Sequence, residues 1–376
     1  MHRLESKTPS PQLAWIDVSK GIGILLVVLG HTQTGTLAQR FAYLFHMPLF
    51  FFLSGYLHKT QISHWQYFKK KAIHLLLPYL SFLVLLAPFQ SRFDVTHATG
   101  PHAVRRQIFN IAWGGCHLHG LVGVFWFLSC LFALQQFMTF VISKLRPRNV
   151  LILGGAFLLL SYAGSVYSPN IDLPLALQIV PAAIPFFVAG HFMARVRNQP
   201  ALLLFASALG TIVALLLSWK GDGISYDMKH MNYGVPFLSF VLSLCCIVTL
   251  AKISEWISSV VILKTTLSSF GKMSIGIMST HIAFMAIPFL KLGSAANCWV
   301  RFSLVAAGAY GITFFFAKFP VTRALFLGSE KDCWYLWDLI ATRVPEPSTR
   351  VAEIEDPADE LETSFAARGT ESLHDA

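Results

Sequence analysis

Charge is scarce in this chain. Asp, Glu, Lys and Arg make up 13% of its 376 residues against 55% hydrophobic ones, and mean hydropathy is +0.57. A soluble domain carries roughly twice that charged fraction. The shortage excludes an ordinary soluble globule and indicates a polytopic membrane protein. Cysteine is also scarce. Of six, Cys130, Cys245 and Cys246 fall in apolar runs and Cys333 on the expected cytoplasmic side, so no disulfide framework is expected. Cys116 and Cys298 share the expected outer side, and a bond between them would need an oxidising compartment and close Cα atoms. The first apolar run carries Asp17 and Lys20 and lacks a small-x-small cleavage site, so it should be retained as a span. Neither a fixed-period repeat nor matched halves with interrupted helices is present, which weighs against a carrier.

What is abundant is apolar sequence in runs of membrane length. Ten spans are expected near 14–32, 41–57, 73–89, 121–142, 150–168, 175–193, 202–219, 235–252, 272–290 and 300–319. An even count puts both termini on one side. The segments on that side hold 21 of the 29 Lys and Arg residues, so both termini are expected to be cytoplasmic. The net charge of +10 follows largely from this bias, and nucleic acid is not needed to explain it. Acidic residues concentrate at the end: residues 344–376 hold nine, against Arg350 and Arg368. With Pro345, Pro347 and Pro357 and few large apolar residues, that tail reads as disordered. The expected organisation is a cytoplasmic segment 1–13, an all-α transmembrane bundle 14–320, a membrane-proximal segment 321–343 and the acidic tail 344–376.

Within the first span, Lys20 and His31 are eleven residues apart. On a helix this places them on one face, about 16 Å apart along the axis, with Asp17 near the same face. Ionisable side chains inside a span usually mark a functional path. The plainer reading is a snorkelling lysine and an interfacial histidine, which explains each residue singly but not the shared stripe.

Further polar residues punctuate other spans. His46 and Ser54 flank Pro48 in a block running to Gly55, where the proline removes a helix hydrogen bond and the glycine permits a close helix approach. His46 reads equally as functional or as packing. Lys69, Lys70 and Lys71, followed by His74, would attract phosphates of lipid or of a nucleotide-bearing donor. Plain positive-inside anchoring accounts for them as well. The outer segment 90–120 is the candidate lid and carries His97, His102, His117 and His119. These lack the ligand set of a zinc site, and no metal is expected. Trp126-Phe127-Leu128 and the stretch from Gly271 to His281 complete the punctuation.

Taken together, Trp15-Ile16-Asp17-Val18-Ser19-Lys20-Gly21-Ile22 through Gly30-His31, the His46–Gly55 block, Trp126-Phe127-Leu128 and the Gly271–His281 block resemble the acyltransferase family 3 membrane proteins. Within them the similarity is to the fucose 4-O-acetylase-like and exopolysaccharide O-acetyltransferase branch. The resemblance covers residues 15 to about 320 and implies ten spans in a bacterial cytoplasmic (inner) membrane. It also implies transfer of acetyl from cytoplasmic acetyl-CoA to a sugar hydroxyl of an exopolysaccharide, surface glycan or lipid-linked precursor, without a bound cofactor. Other polysaccharide-biosynthesis membrane proteins are possible partners. Lys20 and His31 would be the signature catalytic pair, with Asp17, His46, Ser54, Lys71, His74, Trp126 and His281 as binding candidates. The family often has Arg-x-x-Arg where this chain has Lys71-x-x-His74, which loses the bidentate fork of arginine.

A sugar hydroxyl is a weak nucleophile at neutral pH, and imidazole is suited to take its proton as it attacks a thioester. A covalent acyl-histidine relay is the other route open to His31. The competing functional class is a transporter or flippase for a lipid-linked glycan, which would need no acetyl-CoA. A non-catalytic scaffold would tolerate leucine at Lys20 and His31.

Overall fold

The structure, a computed structural model, describes residues 14–59, 63–93, 101–196, 200–221, 223–287 and 298–341. The segment 1–13, His97, the side chain of His102 and the tail 344–376 lie outside the described residues. Within them every regular element is helical, and an Asp227–Asn232 bridge closes one turn. The all-α membrane bundle expected from the sequence is therefore what the chain forms. Among the described residues, eight helices are long and apolar enough to cross a membrane.

Two of the ten expected spans fall outside that set. Helix α2 (Leu37–Tyr56) has 20 residues but carries Gln39, Arg40 and His46, and α12 (Ser274–Met285) stops at 12 residues. The expected span 272–290 is thus shorter than anticipated. The loop expected before it is partly helix α11 (Val261–Lys272), which ends where Met273 leaves helical geometry with ψ at 9°.

Helix α1 (Ala14–Thr32) is an interior helix, with 61% of its apolar window buried. Helix α9 (Ala201–Lys220) is peripheral at 17%, leaving Leu202 and Phe205 exposed where lipid would meet them. Two glycine crossings lock the interior. A Cβ on Gly271 would lie 1.9 Å from Asp17 O, and one on Gly21 would lie 2.0 Å from Leu267 O, so α1 and α11 touch backbone to backbone. Likewise a Cβ on Gly55 of α2 would lie 1.9 Å from Phe187 O of α8 (Val180–Met193), and one on Gly190 would lie 2.0 Å from Phe52 O. Small residues permit such contact in lipid, where no hydrophobic force drives helices together. Gly271→Leu is accordingly expected to prevent assembly, seen as loss of monodisperse protein after detergent extraction. Gly155→Leu, where a Cβ meets nothing within 4 Å, should be tolerated.

The α1–α2 turn is closed by its own polar side chains. Thr36 caps α2 by accepting from Gln39 N at 3.2 Å, and Gln39 Nε2 donates back to Gly30 O at 3.0 Å. Past the last long helix, α13 (Cys298–Phe316), the short α14 (Pro320–Leu327) packs on α4 (Leu77–Phe93). Gly328 then turns left-handed at φ 62°, and its carbonyl lies 3.4 Å from His74 Nδ1. Arg323 closes this turn by a bidentate pair to Asp332 at 2.8 and 2.7 Å. Asp332 lies in the first turn of a further helix, α15 (Glu330–Ala341), whose residues from Tyr335 belong to a second unit.

Hydrogen bonds from Arg323 hold the Asp332 carboxyl below the usual carboxylate range. A lowered acid stabilises the fold above its unfolded pKa, about 3.9, and loses that contribution as pH falls through the lowered value. Asp332→Asn should therefore lower the unfolding temperature at pH 7 and narrow its difference from that at pH 3, measured on detergent-solubilised protein.

Candidate active site

Although Lys20 and His31 sit on one helix, they open into different cavities. Lys20 lines a cavity of about 330 Å³. His31 lines another of about 270 Å³. Among the described residues, Met278 of α12 lines both.

The Lys20 cavity is cationic. Its wall holds Lys20, Lys59, Lys70, Lys71, His58 and His74 and, among the described residues, no Asp or Glu. Asp17 partly offsets Lys20 at 3.8 Å from outside the cavity wall. Lys71 ends α3 (His64–Lys71) and lies 5.4 Å from the Tyr67 ring. His74 sits in the π turn Ala72–Leu76 that joins α3 to α4, a local widening of the helix of the kind that gathers at functional sites. Burial, followed by the neighbouring His191 and Lys71, pushes the His58 imidazole down to about 4, so it is neutral at pH 7. Ser54 accepts from Gln135 Nε2 at 2.7 Å, joining α2 to α6 (Trp126–Lys144) at the cavity wall. Four ammonium groups give this lining a positive charge of the kind that attracts anions.

Aromatic and mixed-charge groups surround His31. Tyr43, Trp126 and Tyr226 supply aromatic faces, and His46, Asp227, Lys229 and His230 supply polar ones. Gly30 makes room for Tyr43, whose ring carbon would lie 2.8 Å from a Cβ placed there. His46 Nδ1–H donates to Ala42 O at 2.7 Å, which leaves its Nε2 lone pair free to accept.

The segment after α9 forms one wall of this cavity. Tyr226 N donates to Tyr43 O at 3.2 Å, and Lys229 Nζ donates to Leu118 O and Gly123 O, each at 2.9 Å. Burial lowers the Lys229 pKa, and the two carbonyls stand where water would otherwise solvate the ammonium. Cys116, a free thiol like Cys298, donates to Lys229 O at 3.3 Å. Asp227 accepts from His230 Nδ1 at 2.9 Å.

The structure thus divides the candidates named from sequence. Lys20, Ser54, Lys71 and His74 line one cavity, and His31, His46 and Trp126 the other. Asp17 and His281 line neither. His117 pairs with Asp172, while His119 reaches the His31 cavity. Among the described residues no group of three His, Cys, Asp or Glu stands at metal-binding spacing. Sequence reading missed His58, Gln135 and the Tyr226–His230 run. The available signal for that run was Asp227, Lys229 and His230 crowded into one short link between apolar spans.

A model of the acyltransferase domain family, Acyl_transf_3, matches residues 13–318. The chain belongs to the acyltransferase family 3 membrane proteins. Every residue lining the two cavities lies within the matched region. The chain is similar to nodulation protein NolL of Sinorhizobium fredii (strain NBRC 101917 / NGR234), at 30% identity over 240 residues that cover 56% of this chain and 58% of NolL. It therefore spans somewhat over half the length of that relative. No solved structure matches.

Proposed function

We propose that this acyltransferase moves an acetyl group from cytoplasmic acetyl-CoA to a sugar hydroxyl of an exopolysaccharide, another surface glycan or its lipid-linked precursor, in a bacterial cytoplasmic membrane. The observation that supports this most is the placement of two chemically different cavities along one interior helix. The cationic Lys20 cavity suits the phosphates of coenzyme A. The His31 cavity suits a sugar: aromatic faces beside a carboxylate, an ammonium and imidazoles offer both acceptors and donors to a ring of hydroxyls.

Lys20 and His31 are about 16 Å apart along α1, a gap that the long pantetheine arm is suited to bridge past Met278. At His31, an imidazole nitrogen takes the proton of the acceptor hydroxyl as its oxygen attacks the thioester carbonyl. The tetrahedral intermediate then collapses, the carbon–sulfur bond breaks and the thiolate leaves with a proton. In the relay form a His31 nitrogen attacks the thioester carbonyl and the coenzyme A thiolate leaves; the sugar oxygen then attacks the acyl group, the carbon–nitrogen bond breaks and the hydroxyl proton passes to the released imidazole nitrogen. A host lacking this gene, complemented with the wild-type chain, should regain alkali-labile acetate on its surface carbohydrate. Glycan export without added acetate would instead support the transport reading.

A further inference from the structure

His281 is wholly buried, lies outside both cavities and has one polar atom left over. Its Nδ1 faces two carbonyl oxygens of its own helix, Met278 O at 2.7 Å and Ile277 O at 3.2 Å. Carbonyls only accept, so Nδ1 carries the proton and Nε2 is a bare lone pair. That Nε2 is buried without a hydrogen-bond partner. An unpaired buried acceptor is costly, so a donor within reach of Nε2 would be favoured.

The ring packed against it is His31. The two centroids are 5.2 Å apart and the planes are inclined at 43°. At that separation a ring nitrogen of each comes within hydrogen-bond distance once the two point at one another. His31 also lines the cavity and lies 6.2 Å from the Tyr43 ring.

We propose that His281 is a positioning residue that fixes the tautomer of His31, accepting one ring N–H of His31 at its own Nε2. The consequence for the reaction is direct. With one nitrogen holding its proton for His281, the other nitrogen of His31 presents its lone pair to the cavity, the form that either a base or an acyl-accepting nucleophile requires. When His31 takes the hydroxyl proton on that nitrogen, its bond to His281 is retained and orients the imidazolium. The arrangement does in an apolar span what a carboxylate does in a hydrolase triad, without burying a carboxylate there. Backbone carbonyls in turn hold His281, so the chain of orientation starts from α12 itself.

The inference rests on the acyl-transfer reading for its purpose but not for its test. Nitrogen-15 histidine spectra of the labelled protein in nanodiscs report the tautomer of His31 whether or not substrate is turned over. Wild type should show a single neutral tautomer at His31. His281→Phe, which keeps a ring and removes the acceptor, should mix the two tautomers and lower turnover about tenfold or more, as loss of an orienting partner does elsewhere. His281→Gln, with an amide oxygen able to reach the same point, should restore the single tautomer and most of the turnover.

Mixed tautomers in the wild type would overturn the proposal without any variant. So would a His281→Phe protein whose His31 tautomer is unchanged. Absence of acyl transfer in the wild type, with a tautomer that still answers to residue 281, would instead remove the functional reading and leave the positioning intact.

Discussion

Replacing His31 by alanine is expected to lower acyl transfer about a thousandfold, with protein reaching the membrane at the wild-type level. General-base catalysis supplies about 10² to 10⁴ in rate, and a sugar hydroxyl depends on it heavily because almost none is ionised at neutral pH. If His31 is instead the acyl carrier, transfer stops altogether. Either loss should appear in turnover and leave donor affinity unchanged, because His31 is absent from the cationic cavity. Folding should survive, since α1 is held by its glycine crossing with α11 at Gly21 and Gly271, ten or more residues from His31. Acetate on surface carbohydrate, measured after mild alkali at matched membrane levels, reads the effect. A loss smaller than tenfold would remove His31 from the chemistry.

Lys71→Glu is expected to raise the KM for acyl-CoA about a hundredfold while moving turnover far less. A hydrogen bond to a charged partner contributes about 1.5–3 kcal/mol, and the reversal adds repulsion to its loss. Lys71 shares its cavity with Lys20, Lys59 and Lys70, so one acid placed among them also neutralises a neighbour. Lys71→Arg should keep or improve affinity, because the guanidinium fork meets a phosphate bidentately. Initial rates against donor concentration separate the two constants. A second signature is salt: in wild type the KM should rise with ionic strength, and in Lys71→Glu that slope should flatten. An unchanged KM would place the donor elsewhere.

The helical, membrane-embedded class was legible because a shortage of charge and runs of apolar residues carry it without tertiary information. So was the presence of Lys20 and His31 on one helix, which requires only an apolar run of membrane length. What escaped came from packing. Nothing local dictates the π turn at Ala72–Leu76, which forms where α3 and α4 meet the Gly328 turn packed against His74. The break at Met273 separates α11 from α12, and Gly271 just before it must touch α1. Read as one apolar run, that region hid a crossing helix and a short one.

The candidate site was half visible. Lys20 and His31 stood out as ionisable residues in a span, but that they belong to separate cavities depends on which helices cover each end of α1. His281 read as a binding residue because a histidine in an apolar run draws attention. Its position behind His31 needed the placement of α12. Asp227, Lys229 and His230 lie between spans, where charged residues are ordinary. Tertiary bonds, those of Lys229 to Leu118 O and Gly123 O and of Tyr226 N to Tyr43 O among them, fold them over the His31 cavity.

The proposed placement of donor and acceptor in the two cavities makes transfer across the membrane the central claim. Sealed inverted membrane vesicles carrying the protein, with the cytoplasmic face outward, can be supplied with radiolabelled acetyl-CoA in the medium. Label is expected inside the vesicles as an alkali-labile ester on carbohydrate, without permeabilisation and dependent on His31. Label that reaches carbohydrate only after the vesicles are opened, or that accumulates equally with His31→Ala, would contradict it.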